Sequence, residues 1–293
     1  MVQFINLTLG GLSAGAVYAA IALALVLIWR ATRIVNFAQG GMLMITTFLA
    51  FTVVSDGGSY WLALAVAIVA GLVLGAVVER LLIRPVENKP QLNAVVVTFG
   101  LLVLLQGIAG MIFGGTPRSY PPAFGIQGFQ IGGGRRLLFA PNDLWVFLVV
   151  LAVMVVLAVV FRRTSLGLRM RSAAFAPEVA RLLGVRVGRM FTVGWALAAA
   201  VGALAGVLIA PDTFVSPNAF DSTLVFGFTA AVIGGLDSPP GAVVGGISLG
   251  IVLGWVSGYL GSDIVNLGAL VVLVLVLMIR PNGLFGHAAG RRV

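Results

Sequence analysis

The sequence has no cysteine, a single histidine and a single lysine among its 293 residues. Without cysteine neither a disulfide framework nor a thiolate metal site can form, and the redox compartment is left open. The histidine, His287, stands almost at the end of the chain. No histidine is therefore present in the long apolar segments to complete a Ser-His-Asp triad there, and a multi-histidine metal site is excluded. The lysine, Lys89, has no preceding glycine and no following Ser or Thr, which excludes a phosphate-binding P-loop. We therefore expect no catalytic residue, no metal and no cofactor in this chain.

Charge is scarce as well, since only 9% of the residues are charged and 60% are hydrophobic. A soluble domain carries about 25% charged residues. Segments 5–28 and 191–210 contain no charge at all, and about 20 apolar residues suffice for a helix to cross the hydrocarbon core. Because every backbone amide must be paired internally in lipid, these segments are predicted to be helices. The net charge is +9, and the arginines that produce it stand between such segments. They therefore indicate the topology of a membrane protein rather than a nucleic-acid partner.

The sequence predicts an all-α fold, a polytopic transmembrane bundle in a single domain over residues 1–293. It has about nine spans, with eight to ten as the range, at 5–28, 34–55, 60–83, 92–113, 143–161, 191–210, 222–236, 240–258 and 263–279. If segment 162–189 is cytoplasmic, 15 of the 18 basic residues fall on its side, including Arg291 and Arg292. The positive-inside rule then predicts an external amino terminus and a cytoplasmic carboxyl terminus.

Two regions of the predicted bundle are interrupted by glycine and polar residues. Span 34–55 opens with Asn36-Phe37-Ala38-Gln39-Gly40-Gly41, and region 222–258 contains the run from Gly234 to Gly241 with two prolines. Interrupted helices in both halves of a membrane chain indicate a transport site, whereas the alternative is a pair of ordinary short connections. For Asp237 a solvated or capping carboxylate is the alternative to contact with a solute. The residues predicted to line a passage are Asn36, Phe37, Gln39, Gly40, Gly234, Gly235 and Asp237.

Acidic residues fall at or near predicted span ends, so no proton relay within the membrane is evident. The surroundings of Lys89 have already excluded a P-loop for ATP. A sodium-coupled carrier that uses backbone carbonyls stays open. Otherwise the bundle is a passive channel or one subunit of a machine powered by another chain.

Segment 162–189 favours the powered machine, because it contains a short predicted helix that begins near Pro177 and Glu178 and ends at Gly184. The alternative is a basic interfacial helix bound to anionic lipid. We predict a cytoplasmic coupling loop over 162–189, whose contacts with a motor subunit are Arg171, Glu178, Arg181, Leu183 and Gly184.

Small residues recur at helical spacing, as in Gly71/Gly75 and Gly241/Gly245, and predict close helix packing. The segment from Gly114 to Asn142 is rich in Gly, Pro and aromatic residues and is expected outside, as a docking surface or a plain linker.

Four runs, in the same order and over nearly the whole chain, resemble the LivH-type permease subunits of branched-chain amino-acid ABC importers. They are Ile34-Val35-Asn36-Phe37-Ala38-Gln39-Gly40, Ser165-Leu166-Gly167-Leu168-Arg169-Met170-Arg171 with Ala180-Arg181-Leu182-Leu183-Gly184-Val185, Ala231-Val232-Ile233-Gly234-Gly235 with Gly241-Ala242-Val243-Val244-Gly245-Gly246, and Arg280-Pro281-Asn282-Gly283-Leu284-Phe285-Gly286.

This resemblance implies a multi-pass permease of the bacterial inner membrane. It also implies a second permease subunit, two cytoplasmic ATP-binding subunits that use ATP and Mg, and a periplasmic solute-binding protein. Family members carry leucine, isoleucine and valine, and relatives carry other amino acids, urea or short amides. A permease for urea or short amides and a self-contained passive channel are the alternatives.

Two runs differ from the family. Gln39-Gly40-Gly41 stands where the family commonly has His-Gly-Glu, which removes two ionisable groups near the implied passage. Phe175-Ala176-Pro177-Glu178 replaces a stretch that is often more polar.

Overall fold

The computed structural model describes residues 2–87, 89–131, 135–136 and 139–286, so His287, Arg291 and Arg292 lie outside the described residues. Within these ranges the chain forms eleven α-helices and one antiparallel pair of two-residue strands. They are α1 (Val2–Thr32), α2 (Gln39–Ser55), α3 (Tyr60–Val78), α4 (Gln91–Phe113), β1 (Gln130–Ile131), β2 (Arg135–Arg136), α5 (Pro141–Arg163), α6 (Ser165–Phe175), α7 (Pro177–Leu182), α8 (Val187–Thr213), α9 (Asp221–Gly234), α10 (Pro239–Tyr259) and α11 (Val265–Ile279).

Nine of these helices match the nine predicted spans. Seven helical segments are long and apolar enough to cross a membrane, and α2 and α9 are shorter apolar helices. The 14 residues of α9 rise only about 21 Å, less than the roughly 30 Å hydrocarbon core. The prediction of a polytopic helical bundle with two short helices is confirmed.

The chain folds into two compact units, each made of several chain segments. One unit comprises Met1–Val26, Phe124–Met154 and Val225–Val293, and the other comprises Leu27–Ala123 and Val155–Leu224. The chain passes between the units four times, so they are not successive domains. The single permease domain over 1–293 stays a prediction.

In the second unit, α3 and α8 are antiparallel and touch through small residues. A Cβ atom added to Gly71 would lie 2.8 Å from the carbonyl oxygen of Ala199, and one added to Gly75 would meet the carbonyl oxygen of Trp195. The residue numbers rise in one helix and fall in the other. Close backbone approach of this kind is how membrane helices gain van der Waals contact without a hydrophobic driving force.

In the same unit, α2 and α8 are parallel. The Gln39 amide nitrogen contacts the carbonyl oxygen of Ala198, and eight residues further along both helices Thr47 lies against Gly206. Since α3 runs opposite to α8, it also runs opposite to α2. Alternation of nine spans requires these directions.

The first unit shows the same alternation. A Cβ atom on Gly11 would lie 2.7 Å from the carbonyl oxygen of Gly250, and one on Gly15 would lie 2.9 Å from that of Gly246, so α1 and α10 are antiparallel. The close approach of Gly234 to Gly241, at the joint between them, makes α9 and α10 an antiparallel hairpin.

Both predicted interruptions lie in short connections between successive helices, which we call the first and the second break, and their part in transport stays a prediction. Residues 33–38 separate α1 from α2, and residues 235–238 separate α9 from α10. Two features were not predicted. Segment 162–189 contains the helix α6 as well as α7, and the last part of the predicted span 60–83 is a π-helical turn, Glu79–Ile83, which a 3-10 turn, Arg84–Val86, follows.

Candidate functional site

The first break is organised by two buried amide side chains, Asn36 and Gln39. Asn36 Nδ2 donates to Gln39 Oε1 at 3.1 Å, and Asn36 Oδ1 accepts from the backbone N–H of Ala38 at 3.0 Å. Gln39 Nε2 in turn donates to the carbonyl oxygen of Ala198 in α8 at 3.3 Å. The Asn36 side chain thus supports the turn that starts α2, and the Gln39 side chain joins α2 to α8.

Neither amide is exposed, because Gln39 is fully buried and Asn36 is 1% exposed. Gly40 is also buried, and a Cβ atom added to it would lie 3.1 Å from the side chain of Leu224. Phe37 is half-buried. In this conformation these residues contact protein, and their lining of a passage stays a prediction. The pairing of the two amides with each other was not visible from spacing.

The second break is built by glycines at the start of the 235–238 connection. Gly234 and Gly235 are buried, and Gly235 has a φ of +95°, a left-handed backbone conformation that favours glycine. Ser238 Oγ accepts from the N–H of Gly241 at 3.1 Å and caps α10. Asp237 is exposed. The seven predicted passage residues therefore fall into two groups, four in one compact unit and three in the other.

The segment after α11 caps the carboxyl-terminal end of α9. The N–H of Leu284 donates to the carbonyl oxygen of Ile233 at 2.8 Å, and that of Phe285 donates to Gly234 at 3.2 Å. These are carbonyls that a helix end leaves without an intrahelical partner. Gly283, with a φ of +77°, lies against the backbone of Gly235. The Arg280–Gly286 run thus acts as a cap for the broken helix, a role that the sequence did not indicate.

Segment 162–189 folds into a docking element, which we define as α6 and α7 with the turn to Gly184. Thr164 Oγ1 accepts from the N–H of Gly167 at 3.2 Å and starts α6. Gly167 has no room for a side chain, because a Cβ there would lie 2.5 Å from the backbone of Phe161. As predicted, α7 begins at Pro177, and Gly184 ends it with a φ of +80°.

The outer face of the docking element is mainly apolar. The exposed fractions are 85% for Phe175, 54% for Val179, 88% for Leu182 and 78% for Leu183. The predicted charged contacts Arg171, Glu178 and Arg181 are exposed as well, but they flank these large apolar side chains. Sequence reasoning chose the charged residues and, of the apolar ones, only Leu183. A helix with both kinds of side chain does not reveal its free face until its packing is known.

The inner face of the docking element is held to α8. Ala173, Ala180, Val187 and Phe191 form one buried apolar cluster that joins α6 and α7 to the first turns of α8. Outside this cluster Arg181 Nη2 lies 3.8 Å from Glu87 Oε1. Burial raises the pKa of the Glu87 carboxyl, and the Arg181 guanidinium partly offsets this effect.

A second polar cluster lies where α3 meets the start of α8. Glu79 is 1% exposed and accepts from Arg84 through both carboxylate oxygens, at 3.2 Å from Nε and 2.9 Å from Nη2. Thr192 Oγ1 donates to Glu79 at 2.7 Å. Arg84 Nη2 also lies 2.9 Å from the carbonyl oxygen of Gly188. The sequence indicated Glu79 only as an acid near a span end, because its partner on α8, Thr192, stands 113 residues away.

Within the described ranges, no three His, Asp or Glu side chains gather where they could hold a metal ion. The predicted absence of a metal and of a cofactor from this chain stays a prediction.

Known proteins resemble this chain over its whole length. The model of the family described as "Branched-chain amino acid transport system / permease component" matches residues 7–279. The permease protein LivH of Escherichia coli (strain K12), from a high-affinity branched-chain amino acid transport system, is 28% identical over 99% of this chain and 98% of its own. The permease protein BraD of Pseudomonas aeruginosa, from a system of the same name, is 26% identical over 99% and 98%.

A solved structure shares the fold at much lower identity. PsaBC from Streptococcus pneumoniae in complex with Fab aligns with a TM-score of 0.53 and 12% identity, over 93% of this chain and 91% of that chain. The resemblance inferred from the four runs is confirmed by the family match and the two permease relatives. This multi-pass membrane protein belongs to the family of permease components of branched-chain amino acid transport systems.

Proposed function

We propose that this chain is the membrane-spanning subunit of an ATP-driven importer that carries leucine, isoleucine and valine across the bacterial inner membrane. Its relatives are named as permease proteins of high-affinity branched-chain amino acid systems, and the match extends over both compact units. The chain itself performs transport, and ATP hydrolysis with Mg belongs to a separate partner.

The exposed apolar face of the docking element carries the proposal. Phe175, Leu182 and Leu183 lie in the docking element between two spans, outside the long apolar segments. Burial of such side chains by a partner stabilises the complex by roughly 1.5–3 kcal/mol for each side chain that is fully buried. Under the positive-inside rule the basic residues of the loop support a cytoplasmic position for this face, within reach of an ATP-binding subunit.

A continuous path joins the docking element to the candidate passage residues. The apolar cluster attaches α7 to Val187 and Phe191 on α8, and α8 then reaches Ala198, which accepts from Gln39. The rise from Val187 to Ala198 is about 16 Å of one helix. A displacement of the docking element by the ATPase therefore acts on the helix that holds the first break. We infer that this displacement at the first break is the origin of alternating access.

The proposed assembly contains this chain, a second and related permease, two cytoplasmic ATP-binding subunits and a periplasmic solute-binding protein. The amino terminus is periplasmic and the carboxyl terminus is cytoplasmic. Recognition of the solute resides mainly in the binding protein, so the buried amides Asn36 and Gln39 need provide only weak contacts.

The decisive experiment is uptake of radiolabelled leucine by proteoliposomes that hold the complete assembly. We expect uptake to need ATP, the ATPase and the binding protein together. The double variant Leu182→Ser/Leu183→Ser is expected to abolish co-purification of the ATPase. The matched variant Glu178→Arg/Arg181→Glu is expected to weaken co-purification in a salt-dependent way, since exposed charges act mainly on association.

Other outcomes would support the alternatives. Leucine entry through the isolated chain without ATP would contradict the importer and favour a self-contained channel. ATP-dependent uptake of urea or a short amide, with no uptake of leucine, would retain the importer and change its substrate. Binding of each solute to the partner binding protein separates these two results.

A further inference from the structure

The cluster of Glu79, Arg84 and Thr192 joins three parts of one compact unit. Glu79 opens the π-helical turn after α3, Arg84 opens the 3-10 turn that follows, and Thr192 lies in the second turn of α8. Each side chain has at least two polar contacts, and Arg84 also reaches the carbonyl oxygen of Gly188. We call these three residues the clamp.

The clamp is a costly way to hold two helices together if holding is its only purpose. Glu79 is buried, whereas the side chain of Arg84 is 37% exposed. An ion pair with a buried member often stabilises a fold no more than apolar side chains of the same volume, because the buried charge loses its water. The planar guanidinium of Arg84 instead binds both carboxylate oxygens of Glu79, which fixes the orientation of the two side chains relative to each other. The π-helical turn at Glu79 is a rare local geometry that is frequent at functional sites.

The docking element contacts the parts that flank the clamp on two sides. Ala180 of α7 belongs to the apolar cluster on the first turns of α8, next to Gly188. Arg181 of α7 pairs with Glu87, the residue that follows the 3-10 turn containing Arg84. A movement of α7 therefore acts on both helices that the clamp joins.

We propose that Glu79 and Arg84 are positioning residues for transport, which make the end of α3 follow α8 when the ATPase displaces the docking element. This inference rests on the proposed function, since it assumes an ATPase partner. The clamp acts through the two helices and need not touch the solute. Its loss uncouples ATP hydrolysis from transport.

The readout is the number of leucine molecules imported for each ATP hydrolysed by the complete assembly in proteoliposomes. A merely structural brace changes transport and hydrolysis together and leaves this ratio unchanged. For Glu79→Gln and for Arg84→Gln we expect the ratio to fall roughly fivefold or more, the lower end of measured couplings between sites. Arg84→Lys, which keeps the charge and loses the fork, is expected to lie between these variants and the natural sequence.

Arg80→Gln is the matched control. Arg80 lies in the same π-helical turn, is exposed and loses the same charge on substitution, so the ratio is expected to equal that of the natural sequence. An equal fall in Arg80→Gln and Arg84→Gln would overturn the proposal, because net charge would then explain both.

Milder variants decide the question if the Glu79 and Arg84 variants fail to assemble. Thr192→Val removes one hydroxyl at nearly constant shape, and Glu87→Gln removes the partner of Arg181. Both are expected to lower the ratio about twofold, the lower end for residues within a coupling network. A ratio unchanged in these two variants overturns the clamp. Absence of ATP-dependent uptake by the natural sequence is a separate failure, which contradicts the proposed function itself.

Discussion

Gly75 and Gly100 both lie inside apolar helices, but their surroundings are opposite. A Cβ atom on Gly75 would meet the Trp195 carbonyl oxygen and, at 2.7 Å, the Cβ of Ala199. A Cβ atom on Gly100 would have nothing within 4 Å. The first glycine allows two helices to touch, whereas the second has no such neighbour within the described part of the chain.

Alanine is therefore expected to have opposite effects at these two residues. Gly75→Ala should lower the free energy of unfolding by about 1–3 kcal/mol, because α3 must move away from α8. Gly100→Ala should raise it by up to about 1 kcal/mol through helix propensity. The midpoint of thermal unfolding in detergent measures both, and equal shifts of the same sign would contradict the packing of α3 on α8.

The amide pair of the first break gives a second prediction for a single residue. Asn36→Ala removes the acceptor for the Ala38 N–H and leaves the Oε1 atom of buried Gln39 without its donor. We expect a loss of about 1–3 kcal/mol, the desolvation penalty of an unsatisfied buried group. Ser55→Ala is the control, because the Ser55 hydroxyl donates to the carbonyl oxygen of Thr52 in its own helix in an exposed hydrogen bond. A loss no larger in Asn36→Ala than in Ser55→Ala would contradict a structural role for the pair.

At the scale of whole elements, the segment after α11 and the end of α9 depend on each other. Two backbone N–H groups of this segment cap α9, and Gly283 contacts the backbone of Gly235. Because α9 and α11 end together, α11 has to follow any movement of the α9–α10 joint.

Two glycines with nearly the same positive φ angle test this cap. Gly283 has a φ of +77° and close neighbours, and Gly114 has a φ of +75° with nothing within 4 Å of a Cβ. Alanine at either residue should cost about 1–3 kcal/mol of conformational strain. Gly283→Ala should lose more, because it also pushes the cap away from α9. Equal losses in thermal unfolding would show that the contact adds nothing.

At the scale of the whole molecule, the helix directions agree with nine alternating spans. Within one unit α2 and α8 run opposite to α3, and within the other α10 runs opposite to α1 and α9. If α4 and α5 each cross the membrane once, these relations keep α6 and α7 on one side of it. They do not depend on the distribution of charge, from which we separately predict that segment 162–189 lies inside.

The absence of cysteine makes this topology directly testable. Single cysteines in place of Asp56, Asn218 and Asp263 are expected to react with a membrane-impermeant maleimide from outside, and cysteines in place of Leu183 and Asp237 only after permeabilisation. All five residues are exposed. Labelling of Leu183→Cys in intact cells would reverse the orientation, and mixed labelling within either group would contradict nine spans.

The sequence alone predicted the spans well because burial in lipid is a local requirement. About 20 apolar residues without charge must cross as a helix whatever lies beside them. The two breaks were equally local, since glycine, proline and polar residues interrupt a helix at the point where they stand. The end of α7 at Gly184 followed from the same kind of signal.

The contacts of the candidate site needed the tertiary structure. Gln39 bonds to a residue 159 positions away, and Thr192 to one 113 positions away, so no pattern in either segment announces these pairs. The same holds for Leu182, whose exposure depends on the burial of its neighbour Ala180 against α8.

For this protein, then, the amino-acid sequence determined a helical membrane bundle without a visible ATP site, its span number and its family resemblance. Those features depend on composition and spacing along the chain. Only the tertiary structure decided that buried amides hold the first break, that the segment after α11 caps the second, and that the docking element presents leucine and phenylalanine. These features depend on which helices meet, and helix pairing is set by shape and hydrogen bonds between distant segments.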